Sequence, residues 1–412
     1  MLGPYTANKD GTISYRGNKI FEPRSNIQSQ KISPDSFSSR VQDFRNQPYW
    51  TNLSRINHRI NISANEYFNN LGALSTSLPL TTRMISSPGA VYGKEAINYT
   101  TDTCPITIEW FDLPKRAFLS ESSQIYLELA LMQPEVNQVY SIYNSFRKEK
   151  ADATHLSEFH HIEYEGHINQ KQNEQVALGL VKKVVFDLFK HNHQDMAKFL
   201  EKDRLNELET MAQKIHKIPI ITYQEAQKLL FNETKNEKYT QFTMQDRFGA
   251  WEEIKLTEIL GEMVAIREFP LLEVPFYHAR VDGVEHEYET NITIPQSMTS
   301  FSGSSHPTKP LVISGKKKSF VADNTDIIWP GYRETIGSGH RVRSKEELEE
   351  KAKIFQLPIE DYQPYLQTRK FPDYKESSGF GLGWERMLQG MLEMPFIWDV
   401  CHFPRVDNTL KP

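Results

Sequence analysis

The sequence feature that constrains this chain most is Gly379-Phe-Gly-Leu-Gly-Trp-Glu-Arg386, in which glycine occupies three alternate positions just before an apolar stretch. Residues two apart in a β-strand point to the same face, so alternate glycines leave one face of the strand bare. A flat ligand can lie on that face, and Arg386 can stack its planar guanidinium on an aromatic ring or bind a phosphate. Glycine in a strand also fits a bulge or close packing. A second arginine-bearing motif is needed to decide.

That second motif lies upstream. Phe146-Arg147-Lys-Glu149 is followed by a short polar stretch and then by the segment His155-Leu-Ser-Glu158-Phe159-His-His-Ile-Glu163-Tyr-Glu165. The alternation from Phe159 onward predicts a strand, and the charged segment before it predicts a hairpin loop.

Together these segments resemble motifs 2 and 3 of the class II aminoacyl-tRNA synthetases, most closely the asparaginyl enzymes of the aspartyl/asparaginyl subgroup. The stretch from about 41 to 80 is similar to motif 1, which forms the homodimer interface in that family. Segments 118–128, 326–341 and 398–405 extend the resemblance over about residues 40–407. The resemblance implies an α/β (α+β) class II synthetase fold: a six- to seven-stranded antiparallel sheet flanked by helices, assembled as a homodimer.

Composition narrows the function classes further. The chain has 412 residues, a net charge of −5 and two cysteines, Cys104 and Cys401, without metal-binding spacing. No run is long enough to span a membrane, and the N-terminus has no signal pattern. We therefore expect a cytoplasmic protein with reduced thiols and no membrane partner. The acidic charge balance gives no overall basic surface for nucleic acid, although a local basic patch would escape this count.

The chain divides into an arm and a catalytic domain. Residues 1–40 are rich in turn formers and predict an extended N-terminal arm, whereas 41–412 predict the catalytic domain. Within it we expect a helical insertion at about 174–235 and a loop insertion at about 283–319, which contains Gly315-Lys-Lys-Lys318. The resembling synthetases carry an N-terminal OB-fold that reads the anticodon. Forty turn-rich residues cannot build that barrel, so we expect it to be missing.

The resemblance implies roles for the ATP site. Arg147 should hold the α-phosphate and the attacking carboxylate, while Phe159 and Arg386 should stack on opposite faces of adenine. Arg147 and Arg386 are therefore the expected catalytic residues. For each of the others, a structural or solvated role stays open; these further ATP-binding candidates are Glu149, His155, Glu334, Arg341 and Gly383.

Two carboxylates are the candidates for magnesium. Asp326 and Glu334 lie eight residues apart on either side of the Pro330-Gly331 turn and could face each other across a hairpin. Hard carboxylate oxygens suit Mg²⁺, which takes one or two of them together with phosphate oxygens. Asp323 is a rival to Asp326.

The resemblance also points to an amino-acid site. Gln124 is the first candidate for binding the amino acid, with Ser122 beside it. Aspartyl enzymes have a lysine in this segment, and Leu127 in its place is typical of asparaginyl enzymes. Arg369 could bind a side-chain carbonyl or carboxylate, or form a structural salt bridge.

Departures from the family pattern concern the acceptor. The loop between Arg147 and Phe159 is one residue shorter than in the family, and Thr154 replaces an arginine before the histidine. That loop meets the tRNA acceptor end in the family, so these departures disfavour tRNA as the acceptor. We therefore expect an ATP-dependent ligase that adenylates aspartate, asparagine or a close analogue and passes the acyl group to ammonia or a small amine. The alternatives are an asparaginyl-type tRNA ligase without an anticodon-binding domain, and a non-catalytic paralogue that binds ATP or an amino acid.

Overall fold

The computed structural model describes residues 3–21, 40–86, 106–108, 117–147, 152–240, 248–294, 311–354, 357 and 359–406. The strands are β1 Tyr5–Ala7, β2 Ile13–Tyr15, β3 Asn18–Phe21, β4 Leu74–Ser75, β5 Thr81–Thr82, β6 Thr107–Ile108, β7 Ala117–Leu119, β8 Gln138–Phe146, β9 Glu158–Gly166, β10 Ile220–Thr222, β11 Val264–Arg267, β12 Arg280–Ile294, β13 Leu311–Ala322, β14 Asn324–Ile328, β15 Glu334–His340 and β16 Ser378–Gly383. The helices are α1 Arg40–Asn46, α2 Pro48–Asn70, α3 Gln124–Ala130, α4 Gln170–Met196, α5 Lys202–Lys214, α6 Tyr223–Thr234, α7 Ala250–Leu260, α8 Lys345–Ile354, α9 Ile359–Gln367 and α10 Trp384–Leu392. A search of these ranges for a helix long and apolar enough to cross a membrane finds none.

An eight-stranded sheet forms the centre of the fold, in the order β10-β11-β14-β15-β16-β9-β8-β4. The interior pairs are antiparallel, and only the two outermost pairs, β10 with β11 and β4 with β8, are parallel. The predicted class of fold is confirmed, with eight strands rather than six or seven. The glycine-rich strand β16 lies in the interior of this sheet, directly beside the strand of the second motif, β9.

Two long helices cover one side of the sheet. Helix α2 starts with a proline, which suits the first helical turn because its missing N–H would have no partner there. Its apolar residues recur every three or four positions and are fully buried: Leu53, Ile56, Ile60, Ala64 and Phe68. Helix α4 packs against α2 and opens with a capping box between Asn169 and Gln172. The segment expected as a helical insertion therefore begins with a helix that belongs to the core.

The N-terminal residues differ from the extended arm predicted for 1–40. Residues 5–21 form a small antiparallel sheet, β1-β2-β3, that packs on the turn at 330–332. The ring of Tyr5 lies 4.7 Å from that of Tyr332, and the Tyr15 hydroxyl donates a 2.6 Å hydrogen bond to the carbonyl of Glu393. The buried ring of Tyr5 on β1 and the half-buried ring of Tyr15 on β2 anchor this sheet to the domain. Residues 22–39 lie outside the described ranges.

The segment predicted as a loop insertion is a two-stranded ribbon in its described part. Strands β12 and β13 pair antiparallel from Arg280 opposite Ala322 to Ile294 opposite Leu311, and the connection at 295–310 lies outside the described residues. The register sets Lys318 opposite Glu287 and Lys316 opposite Glu289. Two of the three consecutive lysines thus occupy register positions directly across from glutamates.

Candidate active site

The floor of the candidate site is one face of the central sheet. Directly opposed residues in an antiparallel sheet point to the same side, so the register defines rows across neighbouring strands. On this face, glycines of β15 and β16 lie directly across from polar side chains of β9. The rows are Gly383 with His161; Gly337, Gly381 and Glu163; and Gly339, Gly379 and Glu165. The bare strand face inferred from the sequence is therefore flanked by buried histidine and glutamate side chains.

A cavity opens above the first of these rows, with about 640 Å³ of space that includes its mouth. It collects many of the side chains that the sequence singled out for ATP. Its lining includes Arg147, His155, Phe159, Glu334, Gly383 and Arg386. Glu149, the remaining candidate from the same loop, lies outside the described residues.

Arg386 is held in the first turn of α10, directly after the glycine strand. Its Nη1 donates to the carbonyl of Glu334 at 3.0 Å, and its Nε donates to the carbonyl of Thr154 at 3.3 Å. Burial lowers the pKa of Arg386, and the nearby Arg333 and Arg147 lower it further. The guanidinium groups of Arg386 and Arg147 in the cavity lining, with Arg333 close to Arg386, create a positive potential that suits a polyphosphate.

Phe159 and Arg147 form a second part of the cavity lining. The guanidinium carbon of Arg147 is 5.3 Å from the Phe159 ring centroid, a cation–π distance. The Phe159 ring meets His161 edge-on with centroids 4.9 Å apart. Burial lowers the pKa of His161 well below its usual range, with Arg147 and Arg386 adding to the effect, so this ring is neutral. The wall thus presents an aromatic surface beside a cation.

A buried chain of polar side chains runs from His155 in the cavity lining to Glu253. The Nδ1 of His155 lies 2.7 Å from a carboxylate oxygen of Asp152, and its Nε2 lies 3.5 Å from Nη1 of Arg333. Arg333 in turn donates to Glu253 at 3.1 Å. Burial lowers the pKa of His155, with Arg386 and Arg333 acting in the same direction and Asp152 opposing them. A neutral His155 whose Nδ1–H donates to Asp152 is therefore fixed at the cavity wall.

The two candidate magnesium ligands come together on adjacent strands. A Cβ placed on Gly337 would lie 2.7 Å from Oε1 of Glu334 and 3.9 Å from Oδ1 of Asp326. Burial raises the pKa of Asp326 well above its usual range, and the carboxylates of Glu334 and Glu253 raise it further. A divalent cation would relieve this repulsion, so the residues fit Mg²⁺. No set of three or more His, Cys, Asp or Glu in the described ranges is arranged to hold a metal unaided.

Asp323, the rival ligand, faces a different environment. Burial raises its pKa, and its charged neighbours are His340, Glu174 and Arg267 rather than Glu334. The geometry therefore selects Asp326 as the partner of Glu334.

A second polar cluster lies over the third glycine row. Arg341 is 1% exposed, donates from Nη2 to Glu165 at 2.7 Å and also donates to the side-chain oxygen of Gln124. Gln124 donates to the carbonyl of Phe380 at 2.9 Å. This burial shows that Arg341 is not solvated, and Arg341 is not among the residues that line the cavity. Its contact with ATP stays a prediction. Arg341 directly follows strand β15 and lies beside the amino-acid candidate Gln124.

Ser122 takes part in the neighbouring row. Its hydroxyl donates to Glu163 at 2.7 Å, and the other oxygen of Glu163 accepts from the main-chain N–H of Ser123 at 3.3 Å. Burial raises the pKa of Glu163, and hydrogen bonds from Tyr143 and Ser122 oppose that rise. Glu163 is thus a fully buried acceptor that could receive an ammonium group.

Arg369 has the structural role that the sequence left open. Its Nη2 donates to Glu128 at 2.6 Å and to the Tyr365 hydroxyl at 2.8 Å, and its Nε donates to the carbonyl of Val342 at 3.1 Å. Because its donors are directed to protein acceptors and its side chain is 1% exposed, Arg369 braces the cluster from behind. These contacts are the structural salt bridge that the sequence left open, and binding of the amino acid by Arg369 stays a prediction.

Comparison with known proteins agrees with this geometry. Residues 35–407 match the family described as tRNA synthetases class II (D, K and N). The chain belongs to the class II tRNA synthetases. This is a family of ATP-dependent ligases that form aminoacyl-adenylates.

Relatives of this class II synthetase are named asparagine–tRNA ligases. It is 27% identical over 364 residues to the asparagine–tRNA ligase of Koribacter versatilis, covering 87% of this chain and 70% of that protein. It is 29% identical over 311 residues to the enzyme of Thermococcus kodakarensis, covering 74% and 60%. The chain thus spans about 60–70% of the length of these relatives. The fold matches the asparaginyl-tRNA synthetase of Pyrococcus horikoshii, solved with asparaginyl-adenylate, with a TM-score of 0.72, 23% identity and coverage of 97% and 78%.

Some site residues of this class II synthetase were not predicted from the sequence. His161, Glu163 and Glu165 alternate after Phe159, and charged residues at the buried face of an interior strand were a signal that could have identified them. Glu253 lies on α7, far from every motif, and only the structure brings it beside Arg333.

Proposed function

We propose that this class II synthetase activates asparagine or a close analogue with ATP and transfers the resulting acyl group to tRNA. The observation that carries the proposal is the convergence of Arg147, Phe159, Glu334 and Arg386 on one cavity. Arg147 directly follows strand β8, Phe159 and Glu334 lie on strands β9 and β15, and Arg386 lies on helix α10. They supply an aromatic surface, two guanidinium groups and a carboxylate, which together suit a nucleotide and its metal ion.

In the activation step, an oxygen of the substrate carboxylate attacks the α-phosphorus of ATP. The bond to the bridging oxygen breaks, and pyrophosphate leaves with the acyl-adenylate remaining. No proton has to move, so the site acts mainly by holding charge. Arg147 binds the α-phosphate and the attacking carboxylate, and the purine lies between Phe159 and Arg386.

Asp326 and Glu334 are the residues that would hold Mg²⁺. The ion supplies charge neutralisation for the polyphosphate, which protein cations alone do not complete. The raised pKa of Asp326, which follows from burial and from the nearby carboxylates of Glu334 and Glu253, supports the assignment. His155, fixed by Asp152, faces the same region of the cavity and suits the departing phosphates.

The second polar cluster favours a side chain that ends in a carboxamide. Arg341 can donate to a carbonyl oxygen, and Glu165 beside it can accept from an amide N–H. A carboxylate in the same place would meet the negative charge of Glu165 and leave the site with two buried carboxylates against one guanidinium. Glu163 and Ser122 then face the α-ammonium group. We therefore favour asparagine over aspartate.

Transfer to tRNA is favoured as the second step because the relatives that match this chain over most of its length are asparagine–tRNA ligases. The sequence alone favoured ammonia or a small amine. One structural observation still supports that second candidate. Thr154, which stands where the family has a basic residue, is buried, and its main-chain N–H donates to the Asp152 carboxylate at 2.7 Å. A regulatory role without catalysis is not favoured, because the cations and carboxylates of the site are all retained.

We also propose a homodimer in the cytoplasm. The segment that resembles motif 1 ends in the sheet-edge strand β4, where Leu74 is 55% exposed, and Leu80 nearby is 42% exposed. Exposed leucines along a sheet edge are typical of a surface that a second copy covers.

An acceptor screen tests the choice between the two transfers. The purified protein is incubated with ATP, Mg²⁺ and radiolabelled asparagine, together with total tRNA, ammonium or simple primary amines. Acid-precipitable label that alkali releases indicates aminoacyl-tRNA, and that is the expected result. A small labelled amide formed without tRNA would favour the amine acceptor. Label in neither product would contradict both.

A further inference from the structure

A histidine outside the assigned site lies over the far end of the glycine floor. His278 is 7% exposed, and it forms an isolated β-bridge with Arg341. A Cβ placed on Gly339 would lie 2.8 Å from both Nδ1 and Cε1 of the His278 ring. Only a glycine at 339 leaves room for the imidazole on this face of the sheet.

The ring therefore shares its row with the amino-acid cluster. Gly339 pairs with Gly379, and Gly379 pairs with Glu165. A Cβ on Gly379 would collide with a carboxylate oxygen of Glu165 and would lie 2.7 Å from Nη2 of Arg341. The imidazole, the guanidinium and the carboxylate thus gather over two adjacent glycines.

The Nδ1 atom of His278 is buried and has no hydrogen-bond partner among the described residues. Burial lowers the pKa of His278 well below its usual range, with Arg341, Lys351 and His340 contributing, so the ring is neutral. Its main chain is fixed at both ends: its N–H donates to the carbonyl of Pro275 at 3.1 Å, and its carbonyl accepts from the buried Lys351 ammonium. A buried ring nitrogen without a partner is costly, and a ligand's donor would offset that cost.

We propose that His278 is a specificity-determining residue for the substrate side chain, an inference that rests on the proposed function. A carboxamide has one acceptor oxygen and two N–H donors. Arg341 donates to the oxygen, Glu165 accepts from one N–H, and Nδ1 of His278 accepts from the other. With all three partners in place, the site recognises an unsubstituted amide and rejects side chains that lack either N–H.

Direct binding tests this assignment without requiring catalysis. Isothermal titration in the presence of a non-hydrolysable ATP analogue compares asparagine, aspartate and N4,N4-dimethylasparagine, which lacks both amide N–H groups. The variants are His278→Leu, which removes the acceptor, and His278→Asn, which keeps a polar group. His216→Leu, at an exposed histidine of the chain, is the matched control.

We expect His278→Leu to weaken asparagine binding about fivefold to tenfold, the effect of one buried neutral hydrogen bond. Binding of dimethylasparagine and of the ATP analogue should stay within about twofold. The ratio of the two amino-acid affinities therefore falls, which a purely structural role would not cause. His278→Asn should recover part of the ratio, and His216→Leu should leave it unchanged.

Two results would overturn the assignment: a His278→Leu protein that keeps the wild-type affinity ratio, or a wild-type protein that binds none of these amino acids. Failure of the proposed function is a separate result. Binding that depends on His278 without any exchange of pyrophosphate into ATP would reject the ligase activity and keep the recognition role. Normal exchange with an unchanged ratio in His278→Leu would do the reverse.

Discussion

Nη1 of Arg386 donates a 3.0 Å hydrogen bond to the main-chain carbonyl of Glu334. The bond joins the helix that follows the glycine strand to the strand that carries a candidate magnesium ligand. The residue proposed to stack on the purine therefore helps to position the strand that carries the proposed metal-binding carboxylate. Removing the Arg386 guanidinium is expected to disturb both the nucleotide and the ion.

Arg386→Lys tests the stacking role. Lysine keeps the positive charge but loses the planar guanidinium and its paired donors to the Glu334 and Thr154 carbonyls. We expect amino-acid-dependent pyrophosphate exchange to fall about 100-fold, the size of effect seen when a preorganised donor is removed. Arg55→Lys, at a side chain that is 62% exposed, is the control and should retain activity. Wild-type exchange in Arg386→Lys would refute the role.

Asp326→Asn and Glu334→Gln test the metal site. Each variant removes one charge from the facing carboxylate pair, so the Mg²⁺ concentration needed for half-maximal exchange should rise at least about tenfold. Asp323→Asn, beside Arg267 and His340, should leave the Mg²⁺ titration unchanged. If Asp323→Asn produced the shift and Asp326→Asn did not, the ligand assignment would be reversed.

How far the sequence could predict the structure depends on how local each signal is. The stacking pair and the carboxylates at 326 and 334 follow from motifs within short segments. The structure brings the stacking pair and Glu334 to one cavity, with Asp326 close to Glu334. The sequence could not show which groups surround Arg341, because its partners Gln124 and Glu165 are distant along the chain. It left the role of Arg369 open for the same reason, since the salt-bridge partner Glu128 is also distant along the chain.

The N-terminal sheet shows another limit of sequence patterns. Its strands are three or four residues long, too short for alternation to be distinguished from turn-rich sequence. Its stability depends on tertiary contacts such as the Tyr5 ring against Tyr332. The ribbon at 280–322 escaped prediction for a similar reason, because its pairing depends on strands separated by a long connection.

Leu74→Asp tests the homodimer. A charge at this exposed edge position should prevent a second copy from covering it, and light scattering after size-exclusion chromatography should report a monomer. Ile220→Asp is a matched control, since Ile220 is 47% exposed on the other edge strand of the same sheet. Wild-type protein that elutes as a monomer, or a dimer that survives Leu74→Asp, would exclude an interface at Leu74.

Glu273 predicts a pH dependence of stability. Burial raises the pKa of Glu273 to about 8, and its Oε1 has no hydrogen-bond partner in the described part of the chain. In the unfolded chain the carboxyl ionises near its ordinary pKa of about 4.3. As the pH rises, the unfolded state therefore releases this proton before the folded state does. The protonated Glu273 contributes to the stability of the folded protein, and that contribution is complete at low pH and is lost as the pH rises to about 8.

Urea unfolding at pH 5, 6.5 and 8.5 checks this expectation. The free energy of unfolding of Glu273→Gln, relative to wild type, should increase with pH, because glutamine has no proton to release. Glu350→Gln, at an exposed site, should follow the wild-type profile at all three pH values. Parallel profiles for Glu273→Gln and wild type would show that Glu273 ionises normally in the folded protein.

Asparagine-dependent exchange of labelled pyrophosphate into ATP tests the central claim most directly, because it reports adenylate formation without any acceptor. Wild-type protein with ATP, Mg²⁺ and asparagine should incorporate label, and Arg147→Met should reduce the rate about 1,000-fold, the cost of losing a cation at the reacting phosphate. No exchange with asparagine or any other standard amino acid, or an unchanged rate in Arg147→Met, would contradict the account.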